Sequence, residues 1–448
     1  MNISSITNSI ISTLGNPDSR VPLVIKDVIN STGITYFSYD AGGKLEGKDR
    51  FIDEFGTEII WIAGLPFYKT IADKTIYKLR KLSPDVDVRV VNSNEHLKFA
   101  NDIIENSGFK EEKDVLKNIK EAKKRLPEFK GLFYSKFALA TILTFASYYA
   151  LTKYKQKVTE TAITKDFINK QANEQYFIKK CQECQSFKDF NNIAFSGKKD
   201  NNQPSFKGGL ESFMFNPIKN MMIVDAGITS ERLAKSRNKY EFMEYAIKEG
   251  SLLFLLYVAG KWIKDGLEGF SEKFLKTPID LDLRFLNSDF FKKNVSKDSI
   301  KEEIAEFKEL KTTEKILDFI FKKRNSETSA IVNGAKLSGI ISTFDKTNNI
   351  DPSKYIDVKE LDAFVDSLHG FIAAKDKSGV NAVDFLKKAR NNKVVSVVAN
   401  LAICCISLGY IVPKLMFAYR KQNAGSKEFH VEKEIKEKLA QSFSSNTI

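Results

Sequence analysis

Uncharged apolar residues gather in four runs along this chain, and their lengths set them apart. Val394 to Pro413 (VVSVVANLAICCISLGYIVP) is 20 residues without a charge. At 1.5 Å per residue it covers a ~30 Å hydrocarbon core, so a transmembrane helix is predicted over 394–413, with Tyr410 and Tyr419 at headgroup level. Phe137 to Thr152 has 16 uncharged residues and reaches back to Leu132 if Lys136 snorkels, which predicts a second spanning helix over 132–152. Ile59 to Tyr68 and Ser251 to Gly260 are too short to span. They are read as core, re-entrant or interfacial helices near 55–72 and 250–263.

Weaker periodicities fill the intervals. Val115, Ile119, Ala122 and Leu126 recur at helical spacing and predict an amphipathic helix near 110–129. Ile300, Ile304 and Phe307, then Ile316, Phe319 and Ile320, do the same later. DVDVRVV (Asp85 to Val91) and DLDLRFL (Asp280 to Leu286) alternate with period two, so each reads as a short extended strand. Asp85, Asp87 and Arg89 would then share one face, as would Asp280, Asp282 and Arg284. Paired acids suit a cation or acid–base chemistry. An adjacent arginine neutralises them, and a solvated face is the simpler reading.

These landmarks occur twice. Pro22, Gly33-Ile34-Thr35, Ala63-Gly64 and Asp85–Ser93 are followed by Pro217, Gly227-Ile228-Thr229, Ala259-Gly260 and Asp280–Ser288. The four offsets are 195, 194, 196 and 195, and that constancy points to an internal duplication. The predicted fold is therefore mainly α: a helical membrane protein of two tandem homologous units, each with a short extended segment. The boundaries read as an N-terminal segment 1–19, unit one 20–160, a polar linker region 161–214, unit two 215–425 and a polar tail 426–448. GKKDNNQPSFKGG (Gly197 to Gly209) marks the linker.

About seventy more residues separate the strand from the spanning helix in the second unit, so a module near 335–390 reads as an insertion. Within it, Asn349 to Glu360 (NIDPSKYIDVKE) resembles an EF-hand calcium loop. Asn349, Asp351 and Ser353 stand at the first three ligand positions, Tyr355 offers a backbone carbonyl, and Glu360 is the closing bidentate acid. The resemblance implies calcium as a cofactor, an entering helix ending over Ile340, Ile341 and Phe344, and an exiting helix carrying Leu361, Phe364 and Leu368. Lys354 departs from the pattern where glycine allows the sharp turn. Asp376 to Lys387 looks like a degraded second loop. GGKLEGKD (Gly42 to Asp49), after a possible strand ITYFSY, imitates a phosphate-binding loop. Asp49 replaces the magnesium-binding Ser or Thr, so a glycine-rich turn is expected instead.

Charge adds a partner. The formal net charge is +13 and the pI about 9.2. The lysines and arginines are dispersed and flank the apolar runs, which favours a lipid bilayer with anionic headgroups. No nucleic-acid-binding module is visible, so no nucleic-acid partner is expected. Cys404 and Cys405 sit in an apolar run as small hydrophobes, and Cys181 and Cys184 form a lone C-x-x-C. The start of the chain lacks the basic n-region of a cleavable signal peptide. No catalytic constellation emerges, which points away from an enzyme. The expectation is a membrane-anchored structural or interaction protein, calcium-responsive and with protein partners. The alternatives are a small-solute or ion transporter built from two repeats, and a membrane-surface enzyme using Asp85, Asp87, Asp280 and Asp282.

Overall fold

A computed structural model describes residues 3–16, 19–106, 111–172, 214–325, 328–344, 348–425 and 429–445. Among them the chain is mainly helical, and its single β pairing is an isolated bridge between Thr343 and Ile350. Cys181, Cys184 and the Gly197–Gly209 linker lie outside the described residues. The fold divides into two compact units, each drawing on both halves of the chain. One comprises Met1–Lys26, Ile62–Thr144 and Phe254–Cys405; the other comprises Asp27–Trp61, Phe145–Leu253 and Ile406–Ile448.

The first unit owes its core to phenylalanine. Phe285 packs on Phe291 (ring centroids 4.3 Å apart) and Phe364 (5.7 Å), and Phe371 packs on Phe291 (5.8 Å) and Phe385 (5.3 Å). Around them the helices Asp298–Lys308 and Thr313–Lys323 bury Ile300, Ile304, Phe307, Ile316, Phe319 and Ile320, the positions their periodicity selects. The amphipathic helix is Glu111–Lys124, with Ile119 and Ala122 buried.

The predicted strands are overturned. Asp87 N-caps a short helix, Val88–Asn92, and Asp282 N-caps another, Leu283–Asn287; only the cap residues are extended. An aspartate ahead of an aliphatic residue and an arginine satisfies orphan helix amides as readily as it alternates in a strand, and here the capping hydrogen bond wins. Ser93 and Ser288 then cap the helices that follow, and Lys81 (φ 55°) and Lys276 (φ 52°) each close the preceding helix in the left-handed conformation.

The Val21–Ile59 helix, which lies in the second unit from Asp27 onward, is two helices joined at Gly43, whose backbone (φ 77°, ψ −169°) is not helical. Ser31 donates to Glu58 across 3.1 Å. A straight helix would hold them about 40 Å apart, so the chain must reverse at Gly42-Gly43. Only glycine enters that φ region freely, and a Cβ at Gly42 would overlap the Glu46 carboxylate. The glycine-rich turn thus exists, but ITYFSY is helical and no phosphate-loop strand precedes it. Pro217–Ala234 and Lys239–Phe254 form a second pair of helices joined by a short turn.

The spanning prediction divides. Ala382–Ala424 is continuous over 43 residues and is the one helix among the described residues long and apolar enough to cross a bilayer. Phe137 to Thr152 forms the middle of Leu126–Ala172, a 47-residue helix whose apolar stretch does not reach that measure. This helix continues into the region read as linker, and the tail read as polar contains a helix, His430–Ser445. Ile59–Tyr68 and Ser251–Gly260 each contain a π-helical turn, Ile60–Gly64 and Leu255–Ala259.

Candidate functional site

The helical hairpin turned at Gly43 carries KDRFIDEFGTE (Lys48 to Glu58), a charge-dense stretch. Its charged side chains other than Lys48 are buried. Asp49, Arg50, Asp53, Glu54 and Glu58 are no more than 4% exposed. Their partners come mainly from Pro217–Ala234, Lys239–Phe254 and the turn between them. Arg50 donates to Glu244 (2.6 Å), Arg237 to Asp49 (2.8 Å) and to Glu241 (2.7 Å), and Lys248 bridges Glu54 and Glu249. Arg232 pairs with Glu249 and lies 3.4 Å from Asp53, while the Tyr245 hydroxyl donates to Asp53 (2.8 Å). Arg420 closes the network, donating to Glu46 (2.6 and 2.8 Å) and to Glu244 (2.7 Å). Buried charges persist only when paired and hydrogen-bonded, which explains why two helical hairpins carry matched acids and bases.

The pairing sets the acidities. Burial alone would raise the Asp53 carboxyl, but Arg232, Lys155 and Lys248 together hold it far below the usual carboxylate range. The Glu241 carboxyl is likewise held at about 2, against burial, by Arg237 and Lys155. At one end the compensation fails. Asp27, Ser31, Glu58, Trp61, Asp225 and Arg232 help line a small cavity of about 10 Å³. Burial first, then the charges of Glu54 and Glu249, push Asp27 up to about 7. Burial, then the charges of Asp27 and Glu54, push Glu58 up to about 8. Asp27 and Glu58 are thus the two carboxyls lining this cavity that burial and like charge push upward.

The residues named from the sequence lie in the first unit. Asp351 Oδ1 accepts from the Ser353 amide (2.9 Å) and hydroxyl (2.7 Å), the local turn expected at the start of a cation loop. Asn349 uses its carbonyl on the Phe344 amide (2.9 Å). The Ser353 carbonyl accepts from the Asp87 amide (2.9 Å), and Tyr355 stacks on His96 (ring centroids 4.2 Å apart) beneath the Arg89 guanidinium. Glu360 sits in the first turn of the exiting helix Val358–Ser378, whose Leu361, Phe364 and Leu368 are buried as expected. Asp357 caps that helix. The entering helix is shorter than expected. It stops at Ser338, because Gly339 (φ 85°) takes the left-handed cap, and Ile340, Ile341 and Phe344 follow in the loop. Asp376 to Lys387 is not a loop but a junction between helices, turned at Gly379 (φ 64°).

Asp87 and Asp282 are engaged as caps and as partners of their own arginines, with Arg89 at 2.7 Å and Arg284 at 3.1 Å. Asp282 also accepts from Ser12 (3.1 Å). Reasoning from sequence missed Asp27, Ser31, Glu58, Trp61 and Arg232 entirely. The available signal was the clustering of acids and bases beside both short apolar runs, Lys48–Glu58 and Lys239–Glu249. Comparison with family models, curated proteins and solved structures finds no match.

Proposed function

We propose a membrane-anchored structural or interaction protein, held by the Ala382–Ala424 helix in a bilayer with anionic headgroups. One observation carries the reading: 17% of that helix's most apolar window is buried. The core helix of a soluble protein is mostly buried. Here Val395, Val398, Ile403, Ile406, Ile411 and Leu415 are all exposed. Leaving such side chains in water costs about 25 cal/mol per Å² of apolar surface, a cost that a lipid core removes. The Gly260–Leu275 helix supports the same reading, since Trp262, Phe270 and Phe274 are each more than half exposed beside Lys264 and Lys273. Aromatic rings interleaved with lysines suit an anionic interface. Alkaline carbonate extraction of membranes from expressing cells tests this: the chain should stay in the pellet, and recovery in the supernatant without detergent would refute it.

Calcium responsiveness and protein partners belong to this reading through the Asn349–Glu360 loop, which rests on the Asp87 cap instead of standing free. Internal duplication is part of it as well. Lys81 and Lys276 share a conformation at an offset of 195, as do the two Asp-capped helices. Lys136 pairs with Asp73, and Lys393 approaches Glu268, so the base ahead of each long apolar run meets an acid 195 residues apart from its counterpart. A second reading, a small-solute or ion transporter of two repeats, is favoured by the protonatable cavity built from a hairpin of each half. Solute flux into proteoliposomes separates the two. The enzyme reading ranks last, because Asp87 and Asp282 already have structural work.

A further inference from the structure

Within the second unit the cavity bounded by Asp27, Glu58 and Trp61 differs from the rest of the buried network in having too few cations. The carboxylates lining it are Asp27, Glu54, Glu58, Asp225 and Glu249, and Arg232 is the one base among its lining residues. Lys248, just beyond, is already shared by Glu54 and Glu249, and Arg232 by Glu249 and Asp53. Neither cation is left over for Asp27 or Glu58. A net negative excess buried in protein is not sustained; it is neutralised by protons or by a bound cation.

Two atoms indicate how. Glu58 takes the Ser31 hydroxyl on Oε1, while its Oε2 is buried with no hydrogen-bond partner. The Trp61 indole Nε1–H is also buried and unpartnered, and the ring is 2% exposed. An unsatisfied acceptor and an unsatisfied donor thus line one cavity with room for about one water-sized body. A water there would accept from Trp61 Nε1–H and donate to an ionised Glu58 Oε2, satisfying both.

We propose that this cavity is a proton-binding site, in which the Asp27–Glu58 pair holds one exchangeable proton and a single water links it to Trp61. The balance is simple: the proton passes from a neutral carboxyl to the water and on to bulk solvent, and the pair gains one negative charge. Glu54, Glu249 and Asp225 face the pair with like charge and favour uptake, while Arg232 and Lys248 oppose it. The assignment does not depend on whether the chain crosses a bilayer, because the site is complete in the second unit.

The test is an infrared difference spectrum of purified full-length protein in detergent, wild type minus Asp27→Asn/Glu58→Gln. The carbonyl stretch of a neutral carboxylic acid should appear at pH 6 and vanish by pH 9.5. Its absence at pH 6 overturns the proposal. Should the double variant not fold, Ser31→Ala and Trp61→Phe keep both acids but remove hydrogen bonds on either side of Glu58. Each should then shift that stretch in the wild-type background, and an unmoved band overturns the assignment. Stability supplies an independent readout. Because the folded carboxyls keep their protons to a higher pH than an unfolded chain does, the pair's contribution to stability falls as pH rises from about 4 to about 8. Glu58→Gln should flatten that fall, melting above wild type at pH 9 and no higher at pH 5; parallel profiles would contradict it.

Discussion

Replacing Arg420 with methionine removes one side chain from the centre of the buried network and leaves its acids behind. Arg420 is 1% exposed and holds both oxygens of Glu46 as well as Glu244. Glu244 keeps Arg50 at 2.6 Å, but Glu46 stays buried without the guanidinium that held both its oxygens, and only the charge of Arg50 still favours its ionised form. Breaking a buried ion pair by deleting one member costs about 3–5 kcal/mol, mostly for the stranded charge. For a unit of this size each kcal/mol moves Tm by about 2–4 °C, so the variant should melt roughly 6–20 °C below wild type at pH 7.5. Protonation gives Glu46 an escape. Burial already raises its carboxyl despite Arg420, and without the guanidinium it rises further. A folded pKa above the unfolded one means stability lost as pH rises, so the deficit should be largest at pH 8 and shrink toward pH 5. Glu46→Gln combined with Arg420→Met should recover much of the loss, since a buried amide is far cheaper than a buried carboxylate. Circular dichroism melts in detergent at several pH values measure all three. A single variant that loses less than about 1 kcal/mol, or a loss independent of pH, would refute the buried pairing.

Three further outcomes are expected. Asp87→Ala and Asp282→Ala each delete a helix cap and an arginine bridge, so each should cost about 1–2 kcal/mol; a large cost at one and none at the other would undo their equivalence. Calcium at the Asn349–Glu360 loop should bind weakly, at ~10⁻⁴–10⁻³ M, for want of carboxylates and of a glycine at the turn. Calorimetry on the full-length protein should lose that heat in Glu360→Gln, and no heat at millimolar calcium would end the calcium-responsive reading. Carbonate-resistant pelleting should survive Glu360→Gln and be lost when Val398, Ile403 and Ile406 are changed to lysine, as a charge in hydrocarbon costs ~2.5–3.5 kcal/mol each.

Periodicity alone located what depends on local chain geometry and bulk transfer. The long apolar helix through Val394–Pro413 follows from length and composition. So do the buried faces of Asp298–Lys308 and Thr313–Lys323, and the four landmarks that recur at about 195 residues. Tertiary structure decided three things. Asp-x-Asp-x-Arg became a helix cap instead of a strand, because alternation and capping use the same residues and only the neighbouring amides choose between them. The entering helix of the calcium-like loop stopped at Ser338, because Gly339 could take the left-handed conformation. The charges of Lys48–Glu58 turned inward, which no single helix could reveal. A stretch of acids and bases looks solvated until a second hairpin of opposite pattern, Arg232 to Glu249, packs against it within one unit. Asp27 and Glu58 are the remainder of that pairing, and a remainder exists only once both hairpins are in place.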